Sequence, residues 1–91
     1  MTVEVVREAL RSGRLTINPL DDGSGVVLDV DGEQLLTMNV TGLHIMTAID
    51  EGAESIDEVT VAITRHFEVG PEQARGDGKA FIEKVAGVLQ P

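Results

Sequence analysis

Gly32-Glu-Gln-Leu-Leu-Thr-Met-Asn39 runs straight into Val40-Thr-Gly-Leu-His-Ile-Met-Thr-Ala-Ile-Asp-Glu-Gly52. An extended apolar run ends at an asparagine, and a helical pattern starts at once. The stretch predicts a strand set directly against a helix start, with no loop between them. Asn39 suits the N-cap, where a side-chain oxygen accepts from an unpaired N–H of the first turn. Ile45, Met46 and Ile49 then repeat at helical spacing, and Gly52 is placed to close the helix as its C′ residue.

Working back from this junction, Asp31-Gly32 between apolar flanks is a hairpin signal. It predicts that Gly25–Val30 and Gln34–Met38 pair as antiparallel strands. Arg14-Leu-Thr-Ile-Asn18 alternates polar and apolar residues and reads as a first strand, ended by Pro19. Asp21-Asp-Gly-Ser-Gly25 is the turn between the first two. Residues 1–13 carry Val3, Val6 and Leu10 at helical spacing and are expected as a short helix or an arm.

Working forward, Ser55-Ile-Asp-Glu58 is a capping-box pattern. It opens a second helix with Ile56, Val59, Ile63 and Phe67 as its stripe, broken at Gly70. Pro71 suits the first turn of a third helix, whose inner face is Ala74, Gly78, Phe81, Ile82, Val85 and Leu89. Glycine costs a helix up to about 1 kcal/mol relative to alanine, so Gly78 on that inner face suggests the close approach of another backbone. The expected fold class is α+β: a three-stranded antiparallel sheet followed by three helices (βββααα). The expected domain spans residues 14–91.

Composition narrows the function. A chain of 91 residues, 42% of them hydrophobic, makes one domain that buries roughly 60–65% of its unfolded surface, which leaves little room for a deep active site. There is no cysteine, which excludes thiolate nucleophiles and cysteine-ligated zinc. No apolar run reaches the ~18 residues needed to span a bilayer, and Glu4 interrupts the place where a signal peptide needs an apolar core. A cytoplasmic protein that does not enter membranes is expected.

The net charge is −9. Beyond residue 14 the chain carries four basic against fourteen acidic side chains. Such a body repels phosphate backbones, because nucleic-acid affinity rests on Lys and Arg neutralising phosphates. A DNA-binding winged helix is the alternative reading of three strands and three helices. However, Arg75, Lys79 and Lys84 of the expected recognition helix are offset by Glu72, Asp77 and Glu83, so no nucleic-acid partner is expected. The two histidines, His44 and His66, have no oriented acidic partner in sequence, as a general base requires. Neither a catalytic residue, a metal site nor a cofactor is expected.

A peptide partner fits better. An edge strand offers unpaired N–H and C=O groups to which an added strand can bond, and Gln34-Leu-Leu-Thr-Met38 has no charge to blunt such an edge. The alternative is that this strand is simply core, with its edge covered by the N-terminal segment.

The ordered pattern formed by Val26–Ile45, Ala48-Ile-Asp-Glu-Gly52, Ile56-Asp-Glu-Val59, Phe67-Glu-Val, Pro71-Glu-Gln-Ala and Phe81-Ile resembles the PqqD-like family. These are small chaperones known from pyrroloquinoline quinone (PQQ) biosynthesis, and their domain also recognises precursors of ribosomally made, modified peptides. The resemblance covers residues 14–91, and its most specific piece is Leu/Met-Asn followed by Thr-Gly. It implies a winged-helix-like fold and a non-catalytic protein that binds a precursor's leader peptide by strand addition and presents it to a modifying enzyme of the radical SAM type. Family members include domain-swapped dimers, so a homodimer is among the expected states.

Carried onto this chain, the peptide-binding residues would be Gln34, Leu35, Leu36, Thr37 and Met38 on the strand, and Arg75, Gly78, Lys79 and Ile82 on the third helix. Arg75 and Lys79 would face acidic leader residues, with Gly78 as the groove floor. The sequence departs from the family pattern at Leu35, Leu36 and Met46, where aromatics are usual, and at Gly78, where a larger apolar residue is usual.

Overall fold

In the computed structural model, which describes residues 2–89, the order of elements is α1 (Thr2–Arg11), β1 (Leu15–Pro19), β2 (Gly25–Asp29), β3 (Gln34–Met38), α2 (Val40–Asp50), α3 (Ile56–His66) and α4 (Pro71–Leu89). The expected three-stranded antiparallel sheet followed by three helices is present, with a fourth helix ahead of it. Met1, Gln90 and Pro91, included in the expected ranges, lie outside the described residues.

The sheet is a meander of order β1-β2-β3, with Leu15 opposite Asp29 and Asp29 opposite Gln34. Side chains alternate across it. Leu15, Val27 and Met38 are buried on the inner face, while Leu28 and Leu35, which are cross-strand partners, are exposed on the outer one. The inner face is closed by the helices. Ile45, Met46 and Ile49 of α2, Val59 and Ile63 of α3, and Ile82 and Val85 of α4 join one core. Each such side chain contributes about 1.5–3 kcal/mol by leaving water.

The segment expected as a helix or an arm is a helix. Its Val3, Val6 and Ala9 are buried in the same core, because α1 packs on α4, α2 and β1.

The caps follow the sequence closely. Asn39 Oδ1 accepts from the Gly42 N–H at 2.8 Å. At the other end of α2, Gly52 adopts φ +121°, a conformation open to glycine without strain. The Gly52 N–H bonds the Ile49 carbonyl at 3.1 Å and the Ala53 N–H the Ala48 carbonyl at 2.9 Å, the Schellman pattern. At α3, Ser55 Oγ accepts from the Glu58 N–H at 3.2 Å, and Glu58 reaches back to the Glu54 N–H.

Two local expectations are corrected. The β2–β3 connection is a four-residue loop, Val30–Glu33, and the left-handed residue is Glu33 at φ +53°. Gly32 serves a different purpose: a Cβ there would run into the Asp29 carboxylate. That carboxylate is only 2% exposed. It accepts from Arg14 Nε at 3.1 Å and from the Gly32 N–H at 3.2 Å, so the loop folds over a buried anion. Secondly, α3 stops at His66, before Gly70. Phe67 leaves the helix with φ −133° and ψ 144°, and packs edge-on to the His44 ring at 5.1 Å.

Gly78 on α4 has an equally local role. A Cβ at Gly78 would lie 3.3 Å from Ile63 Cδ1, 3.5 Å from Val59 Cγ1 and 3.7 Å from Ile56 Cδ1, all on α3. Gly78 therefore sets the α3–α4 spacing.

Two outcomes follow. Gly78→Leu should overpack this seam and lower unfolding free energy by about 1–3 kcal/mol. Gly78→Ala, whose helix-propensity gain of up to about 1 kcal/mol opposes mild crowding, should stay within about 1 kcal/mol of the parent in urea denaturation. The Arg14 guanidinium, together with the Gly32 N–H, holds the Asp29 carboxyl below its ordinary value of 3.8 against the opposing effect of burial. A depressed carboxylate pKa adds stability above the unfolded-state value, and that increment is lost as pH falls through the folded value. Thermal melts of the parent should therefore lose stability below about pH 4, and Arg14→Gln should flatten that part of the profile.

Candidate functional site

β3 is an edge of the sheet. It pairs with β2 on one side, and the elements packed on it are β2 and α2. The helix α1 covers β1, α2 and α4 instead. Among the described residues, the outward backbone of Gln34–Met38 has no strand partner, and none of those five residues is charged.

At the C-terminal end of this edge a cleft of about 170 Å³ opens, lined by Asn39, Thr41, Gly42, Ile45, Asp77 and Phe81. Its size is below the roughly 300–1,000 Å³ of small-molecule sites, and suits a side chain. The floor depends on Gly42, which is buried in the first turn of α2. A Cβ there would lie 2.8 Å from Phe81 Cε1 and 3.2 Å from Met38 Cβ. The end of β3, the start of α2 and the middle of α4 meet at this point. The rim offers the Asn39 amide, the Thr41 hydroxyl and the Asp77 carboxylate. These groups can donate and accept hydrogen bonds, and they include no nucleophile paired with a base.

The structure divides the nine residues expected to bind peptide. Gln34, Leu36 and Met38 share the inner face of β3, grading from exposed through half-buried to buried. Leu35 and Thr37 point to the outer face, where Leu35 is 58% exposed beside Leu28. They contribute backbone to the edge and no side chain toward α4.

The α4 residues are not brought alongside β3. Arg75 forms an ion pair with Asp57 of α3, Gly78 packs on α3, and Ile82 is in the core at 1% exposure. Lys79 is exposed and follows Arg75 by one turn, on the same stripe. The residues of α4 that face the cleft are Asp77 and Phe81. Asp77 and Gly78 are neighbours in sequence, but one residue turns the helix by about 100°, which separates the two faces. Gly42 thus forms the floor of this cleft, and Gly78 packs against α3.

The signal that was available for the missed residues is modest. Gly42 sits in a first helical turn, where glycine has no conformational reason to be. Phe81 is one of two aromatic residues in the chain.

Other surfaces compare poorly. An open depression of about 480 Å³ is lined by Glu4, Val5, Glu8, Ala9, Ser12, Arg14 and Leu89, with no contribution from β3. His44 and His66 meet at 4.7 Å between ring centroids on the α2–α3 seam. Among the described residues, no group of three or more His, Cys, Asp or Glu is placed to hold a metal ion. No helix among them is long and apolar enough to cross a membrane.

The steric role of Gly42 gives a direct test. Gly42→Ala should lower stability by about 1–3 kcal/mol through contact with the Phe81 ring, despite the helix-propensity gain. Phe81→Leu should restore part of the loss in the double variant, a coupling read from denaturation of the four-member cycle.

The sequence model of the family described as coenzyme PQQ synthesis protein D (PqqD) matches residues 24–88. No curated protein sequence matches the chain. Among solved structures, the chain is similar to TbiB1 in complex with the TbiA(beta) leader peptide. The TM-score is 0.72 and the identity 19%, with 81% of this chain and 84% of that one covered. The matched span runs from the turn before β2 almost to the end of α4 and includes every residue of the β3 edge and its cleft: this chain belongs to the PqqD family.

Proposed function

We propose that this protein is a non-catalytic peptide chaperone that binds the leader of a ribosomally synthesised precursor by strand addition at β3. The observation that carries this reading is the uncharged, unpaired edge of Gln34–Met38, opening at its end onto a side-chain-sized cleft. An added strand gains main-chain hydrogen bonds along such an edge, and a pocket beside it supplies specificity. Membership of the PqqD family and likeness to a protein described in complex with a leader peptide support the same reading.

The bound leader would then be presented to a modifying enzyme, of the radical SAM type that the family resemblance implies. The cleft offers no base–nucleophile pair, in keeping with chemistry performed by that second protein. The DNA-binding alternative gains no support. The charge is −9, Arg75 is engaged by Asp57, and the acidic residues of α4 balance its basic ones.

Titration of ¹⁵N-labelled protein with the leader peptide of its precursor should shift the amides of Leu35–Met38 and of Gly42 and Phe81. The amides of Gly13–Ile17, on the opposite edge of the sheet, should stay in place. A leader that binds while leaving β3 unperturbed would contradict strand addition at this edge.

A further inference from the structure

We propose that Asp77 makes the cleft selective for a cationic side chain, so that the peptide strand bound at β3 carries Lys or Arg at the position that enters it. This inference rests on the strand-addition reading above and specifies its ligand. It also reverses the expectation, drawn from Arg75 and Lys79, that the leader would present acidic residues here.

Three observations support it. First, Asp77 is the carboxylate that lines the cleft, and it sits one turn before Phe81 on the same face of α4. A long cationic side chain can lay its aliphatic stem along apolar surface and keep its charged head at a polar rim. The Phe81 side chain lines the same cleft and offers apolar surface to such a stem.

Secondly, the charge of Asp77 is not satisfied from within. Glu83 has Lys79 four residues back, a spacing at which helical charges pair. Asp77 has Gln73, Ala74, Ala80 and Phe81 three and four residues away. Among the described residues it takes part in no ion pair, unlike Asp29 and Asp57.

Thirdly, the two basic residues closest to it on α4 are turned elsewhere. Arg75 is held by Asp57, and Lys79 lies on the Arg75 stripe. The nearest base on its own stripe, Lys84, is two turns away, about 10 Å along the axis. A chain of net charge −9 reinforces the preference by drawing cationic peptides toward it.

The test uses random dodecapeptides displayed on phage, selected separately on the intact parent protein and on Asp77→Lys. Selected sequences are synthesised and titrated into labelled protein. Asp77 is exposed and unbonded, so Asp77→Lys and Asp77→Asn should melt like the parent.

Peptides that shift the Leu35–Met38 amides of the parent should share a Lys or Arg at one position. Changing that residue to glutamine should weaken binding to the parent by about tenfold, the low end of the scale for a hydrogen bond to a charged group, as a half-open cleft leaves it. The same change should leave binding to Asp77→Asn unaltered, and peptides selected by Asp77→Lys should carry Asp or Glu at that position. Peptides that shift the β3 amides with an uncharged residue there, or that lose equal affinity in both proteins, would overturn the inference while leaving strand addition intact. If no selected peptide shifts the β3 amides, strand addition itself falls, and the inference with it.

Discussion

The arrangement depends on a missing methyl group. At Gly42 the end of β3, the first turn of α2 and the Phe81 ring of α4 come so close that a Cβ would lie 2.8 Å from the ring. Interiors pack at crystal-like density, so side-chain volume in this position would push α4 away from the sheet or force the Phe81 ring out. Either change would alter the cleft at the end of the β3 edge. The Asn39 cap acts on the same turn. By accepting from the Gly42 N–H, it starts α2 one residue after the strand ends and holds the glycine against its neighbours.

A second constraint keeps the edge presentable. The Asp29 carboxylate is buried under the β2–β3 loop, bonded to Arg14 and to the Gly32 backbone. Burying an anion is costly unless it is paired and hydrogen-bonded. Here Oδ1 accepts from both Arg14 and the Gly32 N–H, while Oδ2 is buried without a hydrogen-bond partner among the described residues. Arg14, just before β1, is thereby tied through Asp29 at the end of β2 to the β2–β3 loop. The register that places Met38 inward and Leu35 outward is fixed at one end by this anion and at the other by the Gly42 contact. A one-residue slip would expose Met38 and bury Leu35.

Much of the fold was legible in the sequence because it rests on local chemistry. The bounds of β3, the caps at Asn39 and Ser55, the C′ role of Gly52 and the Pro71 start all follow from hydrogen-bonding needs of a few adjacent residues. What escaped are relations between elements. Asp31-Gly32 reads as a two-residue turn, but Gly32 is shaped by a carboxylate three residues back that becomes buried only once Arg14 arrives. Gly78 reads as the place where another backbone approaches. It does sit at a close approach, but to the side chains of α3, and a single-chain pattern cannot say which neighbour lies over which face of α4. A difference of about 100° between adjacent residues decides whether Arg75, Gly78 and Lys79 or Asp77 and Phe81 face the cleft, and with it the sign of the charge the cleft would select.

The central claim is that the free edge of β3 is where a partner strand forms hydrogen bonds. Amide hydrogen exchange of the protein alone and with saturating precursor leader tests it most directly. The account predicts that those amides of Gln34–Met38 that point outward exchange freely in the isolated protein and become protected in the complex, while the amides of α1 are unchanged. Protection that appears elsewhere on the molecule, with the β3 edge still exchanging as freely as before, would contradict it.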